Sequence, residues 1–342
     1  MSKLADMVCF VKEEMEYRKM CSQAFKKCTY GSENKHKKFR ILSNQASGSR
    51  TKGLISTVFC IILPEIIDAR EQGYIPVVDF YKNNRVYPAL QDREFWRKEN
   101  AWEYYFTQPE KGVSLEEVWH SKYVEKQVRP YISRYRVLNS FPEWDSKMQY
   151  IRAALNQNIH LQKDIAQRVK AEKRKLFPQT NKVLGVGIRA GYRRGTLLGY
   201  PLYDKHPIVG SCKEYINSIE KKLTEWNYDS FFLAVDDRGY LEEIKKYFGS
   251  SCIHLERPRS HPFKNALLDI PNLDGDEDIL IELKDISMRK RNEDYLVELY
   301  LLAQCDSLYA TNGSGHIFSY LVNNGKYAKV EYDELGLFHY KG

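Results

Sequence analysis

Val183-Leu184-Gly185-Val186-Gly187-Ile188 runs straight into Arg189-Ala190-Gly191-Tyr192-Arg193-Arg194-Gly195-Thr196. The apolar part, residues 182–188, has the length and branching of a buried strand. In a parallel sheet, ligands bind in the crevice beyond the carboxyl ends of the strands. Three arginines and two glycines stand at that place here, which suits an anionic ligand. Arg189 is set to clamp a diphosphate bidentately, and the glycines let the backbone approach it. The same spacing also fits a basic surface loop with turn glycines.

Around this run, strand and helix alternate. Residues 211–226 read as a helix, 230–235 as a strand, 241–248 as a helix and 252–255 as a short strand. Past an acidic loop at 274–278, the pattern gives a helix over 295–305, a strand over 307–310 and a helix over 315–323. Such alternation implies a doubly wound α/β domain. Between its last strand and helix lies Thr311-Asn312-Gly313-Ser314-Gly315-His316. The amides of a small-residue loop at a helix N-terminus favour a phosphate, and Ser314 adds a hydroxyl donor. Asn-Gly-Ser-Gly is equally an ordinary turn with an N-cap. The strand 230–235 ends in Asp236 and Asp237. These acids suit ribose hydroxyls or an arginine, and Asp237 also suits a helix cap.

The first half opens with a strand at 39–42, a Ser-, Gly- and Lys/Arg-rich loop at 43–52, an apolar helix over 53–72 closed by Gly73, and a strand at 74–80. This is a β-loop-α-β unit of the kind that builds parallel sheets. Helical periodicity returns over 145–176 and is expected to link two domains, 1–175 and 177–342, as the 342-residue length favours.

A charge of +8 favours anionic partners, and no nucleic-acid motif accompanies it. Twenty-five Tyr and five Trp suit a protein that handles sugars, and coding bias explains them equally well. Seven cysteines, an odd number with no Cys-x-x-Cys pair, fit neither a disulfide framework nor a zinc site. His120, His206, His254, His261 and His316 do not fall at metal-ligand spacings. No cofactor and no metal are expected. Without a signal-like start or a membrane-length apolar run, the expected setting is cytoplasmic, with peripheral contact at the inner face of a membrane left open.

The series Gly185-Val186-x-Ile188-Arg189, Arg193-x-Gly195-Thr196, His206-Pro207, Leu233-Ala234-Val235-Asp236-Asp237, residues 301–306 and Thr311 to Ser314 resembles, in the same order, the α1,6-fucosyltransferase family and its O-fucosyltransferase-like relatives. The resemblance is firm over about 180–325. It is looser at Gly53-Leu54-Ile55-Ser56 and over 73–79, and residues 100–106 are similar to a segment of uncharacterised bacterial members.

The resemblance implies a GT-B fold, with two Rossmann-like domains facing each other across a cleft. It implies inverting, metal-independent transfer of fucose from GDP-fucose; the expected acceptor, an oligosaccharide or lipid-linked glycan, follows from the cytoplasmic setting and not from the resemblance. Carried over by position, Arg189 matches the arginine on the β-phosphate, and Arg193 stands where the family has a lysine. Glu298 falls where an acid meets the nucleoside, and Ser314 matches the phosphate-loop serine, within the loop Thr311, Gly313, Ser314 and Gly315. Asp236 and Asp237 match the acidic pair. Gly195, Thr196 and His206 complete the expected donor site.

The departures fall near the chemistry. The family's second arginine is Ala190 here, its nearby aspartate Tyr192, its catalytic glutamate Leu197, and a histidine near the nucleotide Gly187. Glu103, in an aromatic segment, and Asp204, in the insertion 198–205, are the candidate carboxylates for the missing base, and a reaction dissociative enough to need little base help stays open beside them. Two rivals stay open: a transferase using another nucleotide-sugar on the same fold, and a catalytically silent nucleotide-binding scaffold.

Overall fold

The structure, a computed structural model, describes residues 3–43, 54–80, 100–130, 133–135, 146–177, 182–190, 208, 210–259 and 288–333. Two units divide these, one up to Gln162 and the other from Lys163.

The first unit begins with helix α1 (Lys3–Ala24) and strands β1 (Phe25–Cys28) and β2 (Phe39–Ser43). A helical run follows, α2 (Leu54–Thr57) passing through a π-helical turn (Val58–Ile62) into α3 (Leu63–Glu71). The cause of the wide turn is Pro64, which has no N–H to give to the preceding turn; Leu63 N–H reaches back to the Val58 carbonyl instead. Strand β3 (Ile75–Asp79), a 3-10 turn (Ala101–Tyr104), α4 (Leu115–Trp119), β4 (Val124–Gln127) and α5 (Ser146–Asn158) complete the unit. The sheet order is β1-β4-β2-β3, with β2 parallel to β3 and β4, and β1 antiparallel to β4. The outward groups of β3 are met by side-chain amides. Val78 N–H donates to Gln108 Oε1 (2.8 Å), the Val78 carbonyl accepts from Asn100 Nδ2 (2.7 Å) and Gln108 Nε2 (3.0 Å), and Phe80 N–H donates to Asn100 Oδ1 (2.9 Å).

Under the carboxyl end of β2, Ser43 N–H donates to Gln127 Oε1 (2.8 Å) and Gln127 Nε2 donates to Glu65 Oε1 (3.0 Å). Glu65 Oε2 has no partner among the described residues. Burial pushes the Glu65 carboxyl up to about 8, against the Gln127 hydrogen bond that favours the anion. In the unfolded chain a glutamate titrates at about 4.3. The folded state therefore holds the extra proton between these values. The associated stability is full below the unfolded value and is lost as pH rises through about 8. Glu65→Gln should remain neutral throughout, so its melting temperature should gain on wild type as pH is raised from 5 to 8.5; parallel melting curves across that range would exclude a buried acid here.

The expected single helix over 145–176 is two helices, α5 and α6 (Lys163–Leu176), and the units part between them. Backbone hydrogen bonds to the aromatic segment replace those of the helix. Thr107 N–H donates to the His160 carbonyl (2.9 Å), Gln162 N–H donates to the Tyr105 carbonyl (2.9 Å), and Phe106 bridges Leu161 in antiparallel fashion. Helix α6 belongs to the second unit, where Arg168 pairs with Asp294.

The second unit continues with β5 (Val183–Ile188), α7 (Cys212–Trp226), β6 (Ser230–Val235), α8 (Arg238–Phe248) and β7 (Cys252–Ile253). Then come α9 (Met288–Leu302), β8 (Ser307–Thr311), α10 (Ser314–Asn323) and β9 (Val330–Asp333). Its five strands are all parallel in the order β7-β6-β5-β8-β9. From β5 the chain steps outward to β6 and β7, then returns to lay β8 on the other side of β5. The strand order reverses between β5 and β8, which opens a crevice at their carboxyl ends. Leu184, Val186 and Ile188 pack with Tyr215 and Ile219 of α7 and Tyr240 and Ile244 of α8 in one buried cluster. The intervening Gly185 and Gly187 face the other layer. A methyl group on Gly185 would meet Leu302 Cδ1 at 2.9 Å, and one on Gly187 the His316 ring at 2.8–3.0 Å. These glycines let α9 and α10 close onto the strand.

Candidate functional site

At the β5–β8 reversal the backbone places Arg189 and the β8–α10 loop side by side. Arg189 N–H donates to Thr311 Oγ1 (2.9 Å). A methyl group on Gly313 would lie 3.7 Å from both Arg189 Cβ and His316 Nδ1, so the loop runs between these side chains. Arg189 is 38% exposed and its Nη1 lies 3.1 Å from Asp236 Oδ2, at the end of β6. The other Asp236 oxygen accepts from Ala190 N–H (2.8 Å). One carboxylate thus fixes the backbone after β5 and aims the guanidinium, which stays accessible at the strand end.

Gly313 is the N-cap of α10, in extended backbone that any residue adopts, and being a glycine it offers no side chain to cap the first turn. The first-turn N–H groups and the positive end of the helix dipole are the features that favour an anion. Gly315 is required by packing, because the Tyr295 hydroxyl occupies the space its Cβ would take. Burial and the neighbouring Asp236 and Glu298 carboxylates push the Tyr295 hydroxyl up to about 12, against Arg189, so it stays protonated at neutral pH.

The other sequence-expected residues divide sharply. Asp237 is buried and caps α8, accepting from Tyr240 N–H (3.0 Å). Glu298 on α9 is 1% exposed. Its Oε2 accepts from Arg257 Nη2 (2.6 Å) and its Oε1 from Arg259 Nη2 (2.9 Å). Both arginines also donate to the Val235 carbonyl, so Glu298 ties the segment after β7 to the end of β6. Glu103 lies in the first unit, in the 3-10 turn after β3, with Oε1 accepting from Gln108 Nε2 (2.7 Å). Burial raises the carboxyl of Asp79 at the end of β3, against the pull of Lys126, and the Glu103 charge adds a smaller push in the same direction. Arg193, Gly195, Thr196, Asp204 and His206 lie outside the described residues, as do Tyr192 and Leu197.

His316 was no site candidate by sequence, yet it sits in the first turn of α10 directly over Gly187. Its Nδ1 is 2.8 Å from the Thr311 carbonyl. The signal available in the sequence is the mid-strand Gly187, since such a glycine marks the close approach of another element. Among the described residues no cluster of three or more His, Cys, Asp or Glu is arranged to hold a metal, and no helix is long and apolar enough to cross a membrane.

No family model and no curated protein matches the chain. The structure is similar to NodZ alpha-1,6-fucosyltransferase soaked with GDP-fucose, at 14% identity, covering 88% of this chain and 98% of that one, with a TM-score of 0.47. It is similar also to fucosyltransferase NodZ from Bradyrhizobium, at 11% identity over 84% and 93% of the two chains, TM-score 0.47. POFUT1 in complex with GDP is similar at 10% identity over 86% and 98%, TM-score 0.44. The fold class rests on the chain's own strand order: an α/β protein whose second unit is a doubly wound parallel sheet with a crevice at its reversal point.

Proposed function

We propose that the chain is an inverting, metal-independent glycosyltransferase, with a nucleotide-sugar held by the second unit and a glycan acceptor, free or lipid-linked, held by the first. GDP-fucose is the donor favoured by the motif order from Arg189 to Ser314. The observation that carries the reading is the convergence of Arg189 and the glycine-led N-terminus of α10 on one crevice. A diphosphate is the ligand group that matches a guanidinium fork and several N–H donors together.

In the reaction the acceptor hydroxyl oxygen bonds to the anomeric carbon as the bond from that carbon to the β-phosphate oxygen breaks. The proton leaves to a carboxylate and the electron pair goes out with the diphosphate. Arg189, aimed by Asp236, meets the charge that grows on the leaving group, which is where preorganised electrostatics act most strongly. Glu103, one oxygen held by Gln108, and Asp204 are the candidate bases. A kcat-versus-pH profile of Glu103→Gln and Asp204→Asn assigns the role, with a loss of about 10²-fold or more at unchanged donor affinity as the mark of the base.

A thermal-shift panel of GDP, UDP, CMP and their sugars, run in excess EDTA, tests the reading, because a ligand that binds only the folded state raises the melting temperature. Stabilisation by GDP and GDP-fucose is expected with EDTA present. A response to UDP alone overturns the donor assignment, a response that needs added Mg²⁺ or Mn²⁺ overturns the metal-free mechanism, and silence towards every nucleotide favours the scaffold reading.

A further inference from the structure

The crevice is well supplied with donors for an anion, but two largely buried side chains beside it present acceptors. His316 is 6% exposed. A carbonyl only accepts, so the Nδ1 that lies 2.8 Å from the Thr311 carbonyl carries the ring proton. Burial keeps the imidazole neutral, and the nearby positive Arg189 adds to this against Asp236 and Glu298. Nε2 is then an acceptor, and among the described residues no hydrogen bond reaches it. Four residues earlier in the chain, Asn312 is 9% exposed and its Oδ1 is a buried acceptor with no partner among the described residues. Buried polar atoms are ordinarily satisfied, and Asn312 Oδ1 is an exception that needs a cause.

A diphosphate at neutral pH has no hydrogen to donate, so it does not answer these acceptors. The groups joined directly to a diphosphate in a nucleotide-sugar are the ribose on one side and the transferred pyranose on the other. Both carry hydroxyls, whereas the base lies further off. Resting on the nucleotide-sugar reading above, we propose that His316 is a specificity residue whose Nε2 accepts a hydrogen bond from a ligand hydroxyl one step from the diphosphate, with Asn312 Oδ1 as a second acceptor. Gly187 makes this possible, because any side chain there would displace the ring.

The test is calorimetric binding of GDP, GDP-fucose and 2′,3′-dideoxy-GDP to wild type, His316→Asn and His316→Gln. Asparagine keeps an N–H for the Thr311 carbonyl but lacks the outer acceptor, whereas the glutamine oxygen reaches the place of Nε2. A loss of about 3- to 10-fold is expected in His316→Asn, with partial recovery in His316→Gln. If the hydroxyl is on the transferred sugar, GDP-fucose weakens and GDP does not. If it is on the ribose, both weaken and dideoxy-GDP does not. Equal losses for all three ligands would mean a merely structural residue, and unchanged affinities no contact at all; either overturns the proposal. A wild-type chain that binds none of the three overturns the nucleotide-sugar reading itself, before any variant is compared.

Discussion

Arg189→Ala is expected to lower kcat by about 10²–10³-fold, the usual cost of removing one preorganised donor from a developing anion. The melting temperature should hardly change, because the side chain is 38% exposed at a strand end and its removal opens no cavity in the core. Arg189→Lys should restore little. An ammonium is a point charge, and the fork that meets Asp236 on one side and a diphosphate on the other is lost. Rate measurements on both variants at saturating donor check this; near-wild-type turnover in Arg189→Ala removes the leaving-group role from this residue.

Glu298→Ala should act in the opposite way, on stability first. It leaves Arg257 and Arg259 buried without their shared counter-ion, and breaking a buried pair from one side costs about 3–5 kcal/mol. For a unit of this size that is a fall on the order of 10 °C in melting temperature. Were Glu298 instead a contact of the nucleoside, the same substitution would weaken nucleotide binding and spare the melting temperature, so one thermal scan and one titration separate the roles.

The two variants mark where sequence reasoning reached and where it stopped. Strands β5, β6 and β8 and helices α7 and α10 were legible nearly to the residue, since buried parallel strands are unbroken apolar runs and α7 carries a clear cap in Ser211. Helix α1 and strands β1 and β4 were missed. Phe25-Lys26-Lys27-Cys28 and Val124-Glu125-Lys126-Gln127 are short and half charged, and their pairing with each other, and of the second with β2, makes them strands. The break between α5 and α6 was invisible for a related reason, because its partners lie at Tyr105 and Thr107, more than fifty positions away. Within the candidate site, Arg189 and Asp236 were singled out because strand ends are where ligands bind. The ties of Glu298 to Arg257 and Arg259, and of His316 to Gly187, join elements that no local pattern connects.

Asn100 and Gln108 give β3 a further property. Their amides present to Val78 and Phe80 the donors and acceptors that a neighbouring strand would offer, in a segment of chain that is not itself a strand. An outermost strand with open backbone groups is a template for any extended peptide, including a second copy of the same chain. Here the template is already read by two side chains, and edge-to-edge growth at β3 would first have to displace four hydrogen bonds. Self-association along that margin is thereby discouraged, and Pro76 of the same strand, which has no N–H to offer, adds to this.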